Sequence, residues 1–355
     1  MRYSLVILFA FSTGLPLAAA RAEPAPGESR APRLFDAHEP LAIELEADWS
    51  ALQRDRSETP TPRPAVLRYA GPSGPVTLSI QLETRGRSRL RKTVCEFPPL
   101  LLDIPKDARK GTLFRGIGEL KLVTHCQRSP KYEQNVLLEY LVYRSYNALS
   151  DHSYRVRLLQ VSYRDPGAKK PRWERAGFVI EDASNLTKRV GAERVAESTI
   201  DPALIDPVAA ARVEMFFYMI GMTDFSLIAR PDGPCCHNAR ALKMPGGRIV
   251  PVPFDFDQTG VVDPEYALPD PRLGIRSVTQ RKFRGMCRPS GEHAAAIAEL
   301  QAKRAEITAL FDGLANLMQA RRQRALKFIE GFYTWAADGQ KVEKTLSAEC
   351  RQKSA

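Results

Sequence analysis

The chain has 355 residues, of which 44% are hydrophobic and 26% charged, with 27 Pro and 22 Gly. These proportions exclude collagen-like and disordered classes and leave enough length for one large domain or two fused lobes. Its 52 Lys and Arg against 41 Asp and Glu give a net charge of +11, an excess that attracts polyanions in general and singles out no partner.

Residues 1–22 read as a secretory signal peptide. Arg2 supplies the positive start, Leu5 to Ala20 is mostly apolar, and small residues at Ala20 and Ala22 suit cleavage after Ala22. A membrane helix is disfavoured because Gly14 and Pro16 interrupt a run that is already short. The mature protein is therefore expected to be exported, periplasmic or extracellular, with no transmembrane segment. Export makes disulfides the expected state of the six cysteines. Fifteen complete pairings exist; Cys95 with Cys126 is the first choice, with Cys235 and Cys236 then holding Cys287 and Cys350. The run Cys235-Cys236-His237 also offers ligand types for zinc, although its spacing is not that of structural zinc sites.

A Pro-, Ala- and charge-rich leader occupies 23–39. From residue 40 to about 125 the pattern is that of strands. Leu41, Ile43 and Leu45 alternate with Ala42, Glu44 and Glu46, and further runs at 65–69, 76–82, 94–104 and 120–124 are separated by Gly and Pro clusters. A helical stripe covers Asn135 to Leu149, two more strands are expected at 154–163 and 175–180, and Pro207 opens a helix that Gly221 closes. Helices with basic faces fill about 292–337. This divides the chain into a sheet-rich N-terminal lobe with one helix over 40–182 and a helix-rich C-terminal lobe over 183–355.

The segment 222–260 carries the chemistry. Asp224 sits just past an apolar helix, Asn238 lies 14 residues on, and Asp255 17 residues further, within Pro253-Phe254-Asp255-Phe256-Asp257. An acid, an amide and a second acid at element ends suit phosphoryl transfer: one carboxylate orients the attacking hydroxyl, while an amide oxygen and a carboxylate hold the Mg²⁺ that bridges ATP phosphates. Asp255 is the favoured metal ligand and Asp257 a second candidate; turn and cap roles are the alternative for all of them. His237 reads as structural. On the phosphate side, the loop Arg85-Gly86-Arg87-Ser88 follows a strand, with a glycine that permits close backbone approach and guanidinium groups that bind phosphate oxygens in forked pairs. Lys121 on the next strong strand could reach the same phosphates, and Glu139 on the following helix could pair with it. Walker loops, Gly-x-Ser-x-Gly, His-Glu-x-x-His and Cys-x-x-Cys are all missing from the sequence. Aromatic residues are not interleaved with the basic ones as single-strand binders require, so nucleic acid is not an expected partner.

In order and spacing, the Arg85–Ser88 loop, the 120–126 strand, the helix around 138–149, the 154–163 run leading to Gly177 to Glu181, Thr223-Asp224-Phe225, His237-Asn238 and Pro253 to Asp257 resemble the CotH-like kinases, bacterial spore-coat protein kinases with an atypical protein-kinase-like fold. The resemblance spans roughly 40–262. It implies an α+β, two-lobed kinase-like fold, a nucleotide and a protein substrate as partners, and transfer from Mg-ATP to Ser or Thr of a secreted or envelope protein. It also implies Asp224 as the catalytic carboxylate, Asn238 as a possible metal ligand and Asp255 as the metal-binding acid. The family's Arg-Gly-Asn-Ser loop has Arg87 in its third place here, Phe225 stands where Trp is common, and the cysteines are unusual for the family. An inactive interaction protein and a metal-dependent phosphoester hydrolase are the alternative functions.

Overall fold

A computed structural model of the protein describes residues 33–195, 200–228, 235–288 and 291–352. The expected signal peptide, 1–22, and most of the expected leader lie outside the described residues. The strand pattern resolves into β1 (Leu41–Glu46), β2 (Arg63–Gly71), β3 (Gly74–Thr84), β4 (Leu100–Asp103), β5 (Glu119–Val123), β6 (Val156–Arg164) and β7 (Trp173–Ile180). Between β1 and β2 lies the short helix α1 (Trp49–Arg54), and between β5 and β6 the long helix α2 (Pro130–Asn147).

The expected two-lobed kinase-like fold is not what these strands build. They close into a seven-stranded barrel in the order β1-β2-β3-β4-β5-β7-β6. All neighbours are antiparallel except at the seam, where β1 runs parallel to β6 with Leu41 opposite Leu159, Ile43 opposite Val161 and Leu45 opposite Tyr163. Closure leaves no bare edge, and alternation along each strand fills the interior with side chains. Ile43, Leu45, Leu67, Leu78, Ile80, Leu82, Leu102, Leu120, Leu122, Val161 and Val179 form that inner core.

The outer face of the barrel is apolar where β6 and β7 turn Leu158, Val156, Phe178 and Ile180 toward α2. That helix is buried over nearly all of its length from Gln134 to Tyr146, because the barrel covers one side and the C-terminal helices the other. The rest of the chain comprises α3 (Ala183–Val190), β8 (Glu193–Arg194), α4 (Pro207–Ile220), the hairpin β9 (Ala239–Lys243) and β10 (Ile249–Pro253), and helices α5 (Glu292–Ala302), α6 (Arg304–Asp312), α7 (Gln319–Ala336) and α8 (Gly339–Glu349). The sequence marks α4 well. Asp206 caps its first turn through Ala209 N at 2.8 Å, Pro207 takes the first position, and Gly221 ends it with φ 71°. A side chain at Gly221 would also meet Phe328 and Gly260, so both the backbone angle and the space require glycine there.

Three disulfides form: Cys95–Cys126, as expected, together with Cys287–Cys350 and Cys235–Cys236. The expectation that Cys235 and Cys236 hold the C-terminal tail is thus corrected. The tail is tied by Cys287, beside which Arg351 donates its N–H to Gly285 O at 2.8 Å. The two long-range bridges close segments of 31 and 63 residues, worth about 4 kcal/mol each by restriction of the unfolded chain. With both sulfurs of the 235–236 pair joined, the zinc reading of that run lapses. No cysteine among the described residues is free, which fits folding in an oxidising compartment. No described helix is long and apolar enough to cross a membrane.

Candidate functional site

A cavity of about 80 Å³ lies outside the barrel wall, between β5, α2 and the open end of the β9–β10 hairpin. Each wall follows from local structure. On β5, Leu120 and Leu122 face the barrel core, so the intervening Lys121 and then Val123 face out into the cavity. Glu139 and Tyr143, one helical turn apart on α2, reach it from the opposite side. Arg85 leaves the end of β3, and Arg89 returns one turn later from the short 3₁₀ helix Ser88–Leu90. In this loop Arg85 and Arg89 turn inward while Arg87 and Gly86 are exposed and Ser88 is half-buried. Gly86 holds φ 117°, an angle that other residues rarely adopt.

The third wall comes from the hairpin. Ala239 pairs with Pro253, so the residues just outside that pair stand side by side: Phe254 N donates to Asn238 O at 3.0 Å. Asn238 in turn donates its Nδ2 to Asp224 O at 2.7 Å. Ser226 and His237 exchange two backbone hydrogen bonds, at 3.1 and 2.9 Å, and His237 Nε2 meets Asp224 Oδ2 at 2.9 Å. Asp224, Asn238 and Asp255 therefore occupy three adjacent segments on one side of the molecule. Asn238 and Asp255 have φ of 52° and 63°, in the left-handed region that Asn and Asp tolerate best after glycine.

The two acids around Phe256 part ways. Phe256 is fully buried, its ring 4.5 Å from Tyr143 and 5.8 Å from Phe216. An extended chain through this segment would place Asp255 and Asp257 on one face. The left-handed turn at Asp255 breaks that register. Asp255 stays half-exposed at the cavity mouth, its N–H donated to Tyr143 Oη at 2.9 Å, while Asp257 is buried. Asp257 Oδ2 accepts Arg89 Nε at 3.1 Å, a second Arg89 nitrogen lies at 3.0 Å, and Tyr266 donates its hydroxyl at 3.1 Å. Those contacts all fall on Oδ2 and tie the buried Asp257 to Arg89 and Tyr266. Glu139 does not pair with Lys121 as the sequence suggested: its Oε2 lies 3.5 Å from the Arg89 guanidinium. Arg89, Arg240, Tyr143 and Tyr266 are the site residues that sequence reasoning missed. The four-residue spacing of Arg85 and Arg89 was the one available signal for the first of them.

Electrostatics follow burial. Glu139 is pushed up to about 8 by loss of solvent, against the pull of Arg89, and Asp257 to about 6 for the same reason. The two buried acids titrate as a pair. Asp257 holds the shorter contact with Arg89, from two of its nitrogens onto Oδ2, and the Tyr266 hydroxyl, so the retained proton belongs with Glu139. With Glu139 neutral, the cations Arg85, Arg89, Lys121 and Arg240 outweigh Asp255 and Asp257. Lys121 and Arg85 form no ion pair with any described residue, and burial lowers the proton affinity of both, helped by repulsion from Arg85 and Arg240 at Lys121 and from Arg89 at Arg85. A pocket with an excess of cations suits an anion.

The pH dependence has a definite sign. A carboxyl whose folded pKa is raised stabilises the fold below its unfolded value, near 4.3, and loses that contribution as pH rises through the folded value. Glu139 thus makes the native state less stable between roughly pH 4.5 and 8. Glu139→Gln is expected to flatten this decline, so that its stability relative to wild type improves from pH 5 to pH 8 in urea unfolding. Parallel curves for the two proteins would show that Glu139 carries no proton.

Among the described residues, no group of three or more His, Cys, Asp and Glu is placed to hold a metal ion. No protein-family model matches the chain, and no curated protein matches it.

Proposed function

We propose that this chain is an exported phosphotransferase that receives the phosphates of ATP in the cavity beside β5 and transfers one to a hydroxyl of a secreted or envelope protein. The observation that carries this reading is the cation excess around the cavity, from Arg85, Lys121 and Arg240 with Arg89 behind them, bordered by the half-exposed carboxylate of Asp255. A volume of about 80 Å³ takes a compact oxyanion and excludes a purine ring, so the base lies outside the enclosed part. Forked guanidinium contacts from Arg85 and Arg240 and the ammonium of Lys121 bind phosphate oxygens. The exposed Gly86 lets the loop backbone approach them.

The oxygens present fit Mg²⁺. Asp255 offers a carboxylate, and Asn238, whose Nδ2 is engaged with Asp224 O, keeps its amide oxygen for the ion. Mg²⁺ commonly takes one or two protein carboxylates and completes its shell with water and substrate phosphate, so a cage of three acidic side chains is not required. The ion, when bound, supplies charge neutralisation on the phosphates. Asp224 is exposed, with His237 Nε2 fixing one of its oxygens. It orients the attacking hydroxyl and accepts its proton. The Ala22 cleavage site and a periplasmic or extracellular destination belong to the same proposal, which the three disulfides support.

Calorimetric titration of the full mature protein with ATP, with and without Mg²⁺, followed by transfer of labelled phosphate to envelope proteins, tests the reading. The expected result is Mg²⁺-dependent binding and labelled protein. Release of free phosphate without labelled protein would assign a phosphoester hydrolase to the same acids, and absence of binding would sink both.

A further inference from the structure

The three disulfides close very different lengths of chain. Cys95–Cys126 and Cys287–Cys350 span 31 and 63 residues, whereas Cys235 and Cys236 are consecutive. A cross-link restricts the unfolded chain in proportion to the logarithm of the loop it closes. The 235–236 bond therefore contributes least to global stability, and its effect is confined to its own neighbourhood.

That neighbourhood is the candidate site. Cys235 is buried with Ile200, Ala241 and Ile249 in a small apolar cluster, and Cys236 is half-buried at its edge. The next residue, His237, makes both backbone hydrogen bonds to Ser226 and holds Asp224 Oδ2 at 2.9 Å. Asn238 follows and binds Asp224 O at 2.7 Å. The covalent ring and the groups that hold Asp224 are thus separated by no intervening residue, and the apolar cluster fixes the ring at its other end.

We propose that the Cys235–Cys236 disulfide is a reducible positioning element for the Asp224–His237–Asn238 side of the site. Its consequence for phosphoryl transfer rests on the function proposed above, but its structural effect does not. A dithiol reductant attacks the sulfur of Cys236, the less buried residue of the pair, where one of its thiols displaces Cys235. Its second thiol then releases Cys236. Two electrons and two protons pass to the pair, one S–S bond breaks in the protein and one forms in the reductant. With the ring opened, the segment entering His237 gains backbone freedom, and the Ser226–His237 pairing loosens with it. An oxidised envelope keeps the site ordered, and a dithiol relaxes it without unfolding the chain.

The test compares Cys235→Ala/Cys236→Ala with Cys287→Ala/Cys350→Ala in the full mature protein. In the first variant, amide exchange at Ser226 and His237 is expected to rise by about tenfold or more, Mg-ATP affinity to fall by about 10–100-fold, and the melting temperature to stay near that of wild type. In the second, the melting temperature falls while exchange at Ser226 and His237 well below the transition stays at the wild-type rate. Titrating the wild-type protein with a dithiol, followed by exchange at the same two amides, gives the result again should the first variant fail to fold. Wild-type exchange rates at Ser226 and His237 after loss of the bond overturn the proposal, as does a melting temperature lowered as far as in the second variant. If the wild-type protein binds no nucleotide, the phosphotransferase reading fails by itself and the exchange rates still decide this one.

Discussion

Asp255→Asn is expected to remove most of the stabilisation of the protein by Mg-ATP while leaving the fold intact. The substitution is chosen for its backbone. Asp255 holds φ 63°, and Asn tolerates that region as Asp does, whereas Ala would add a conformational cost of about 1–2 kcal/mol. The N–H bond to Tyr143 Oη is unaffected. Among the described residues, the only ion pair of Asp255 is a long one, 3.9 Å to Arg89, from a half-exposed side chain, so its loss costs no more than about 1 kcal/mol. Binding responds differently, because the charge removed is the one offered to the metal. Disturbing even an outer partner of a metal ligand costs about 10–100-fold in affinity. With ligand at 100 times the wild-type dissociation constant, the native state gains about 2.7 kcal/mol; a 100-fold weaker variant gains only about 0.4 kcal/mol. Differential scanning calorimetry with and without Mg-ATP reads this directly. An Asp255→Asn protein that keeps the full ligand-induced shift would remove Asp255 from the site.

The largest loss of stability is expected from Arg89→Met. Among the described residues, the guanidinium of Arg89 is the single cation within 4 Å of two buried carboxyls, Glu139 at 3.5 Å and Asp257 at 3.0 Å. Removing one partner of a buried ion pair leaves charge uncompensated in a low-dielectric interior, at a cost of about 3–5 kcal/mol. Methionine keeps much of the apolar stem, which separates the charge effect from loss of packing. The cost depends on pH in a predictable direction. Without Arg89 both carboxyls rise further, so protonation rescues the variant in acid and its deficit grows as pH increases. Urea unfolding at pH 5 and pH 8 with the disulfides intact checks this. A deficit equal at both values would assign the loss to packing alone. Adding Glu139→Gln to Arg89→Met is expected to recover part of the loss at pH 8, because one of the two stranded charges is then gone.

Much of the site was legible because its residues lie at the ends of elements whose patterns are local. Lys121 follows from strand alternation, Glu139 from the helical stripe, and Asp224 and Asp255 from the helix and hairpin that precede them. The partners were not legible. Glu139 turns to Arg89 because Arg89 comes back over Arg85 by one turn of 3₁₀ helix, a geometry that a Gly-containing loop does not declare. Asp257 is buried because Phe256 beside it packs between Tyr143 and Phe216 and the chain turns at Asp255, reversing the face on which alternate residues would fall. The cysteines followed the same division: Cys95 and Cys126 belong to neighbouring runs and could be paired in advance, whereas the choice among the other four depended on where the tail docks.

By itself the sequence determined the elements, since side-chain periodicity, caps and turn residues act within a few positions of one another. It also determined which acids and bases stand at element ends. Only the tertiary structure decided that the sheet closes as a barrel. Closure depends on the parallel pairing of β1 with β6, two strands separated by more than a hundred residues, and their apolar alternation would serve an open sheet equally well. The pairing of the carboxylates with Arg89 rather than Lys121 has the same origin: charges choose partners by distance in space and by shared burial, and neither quantity can be read along the chain.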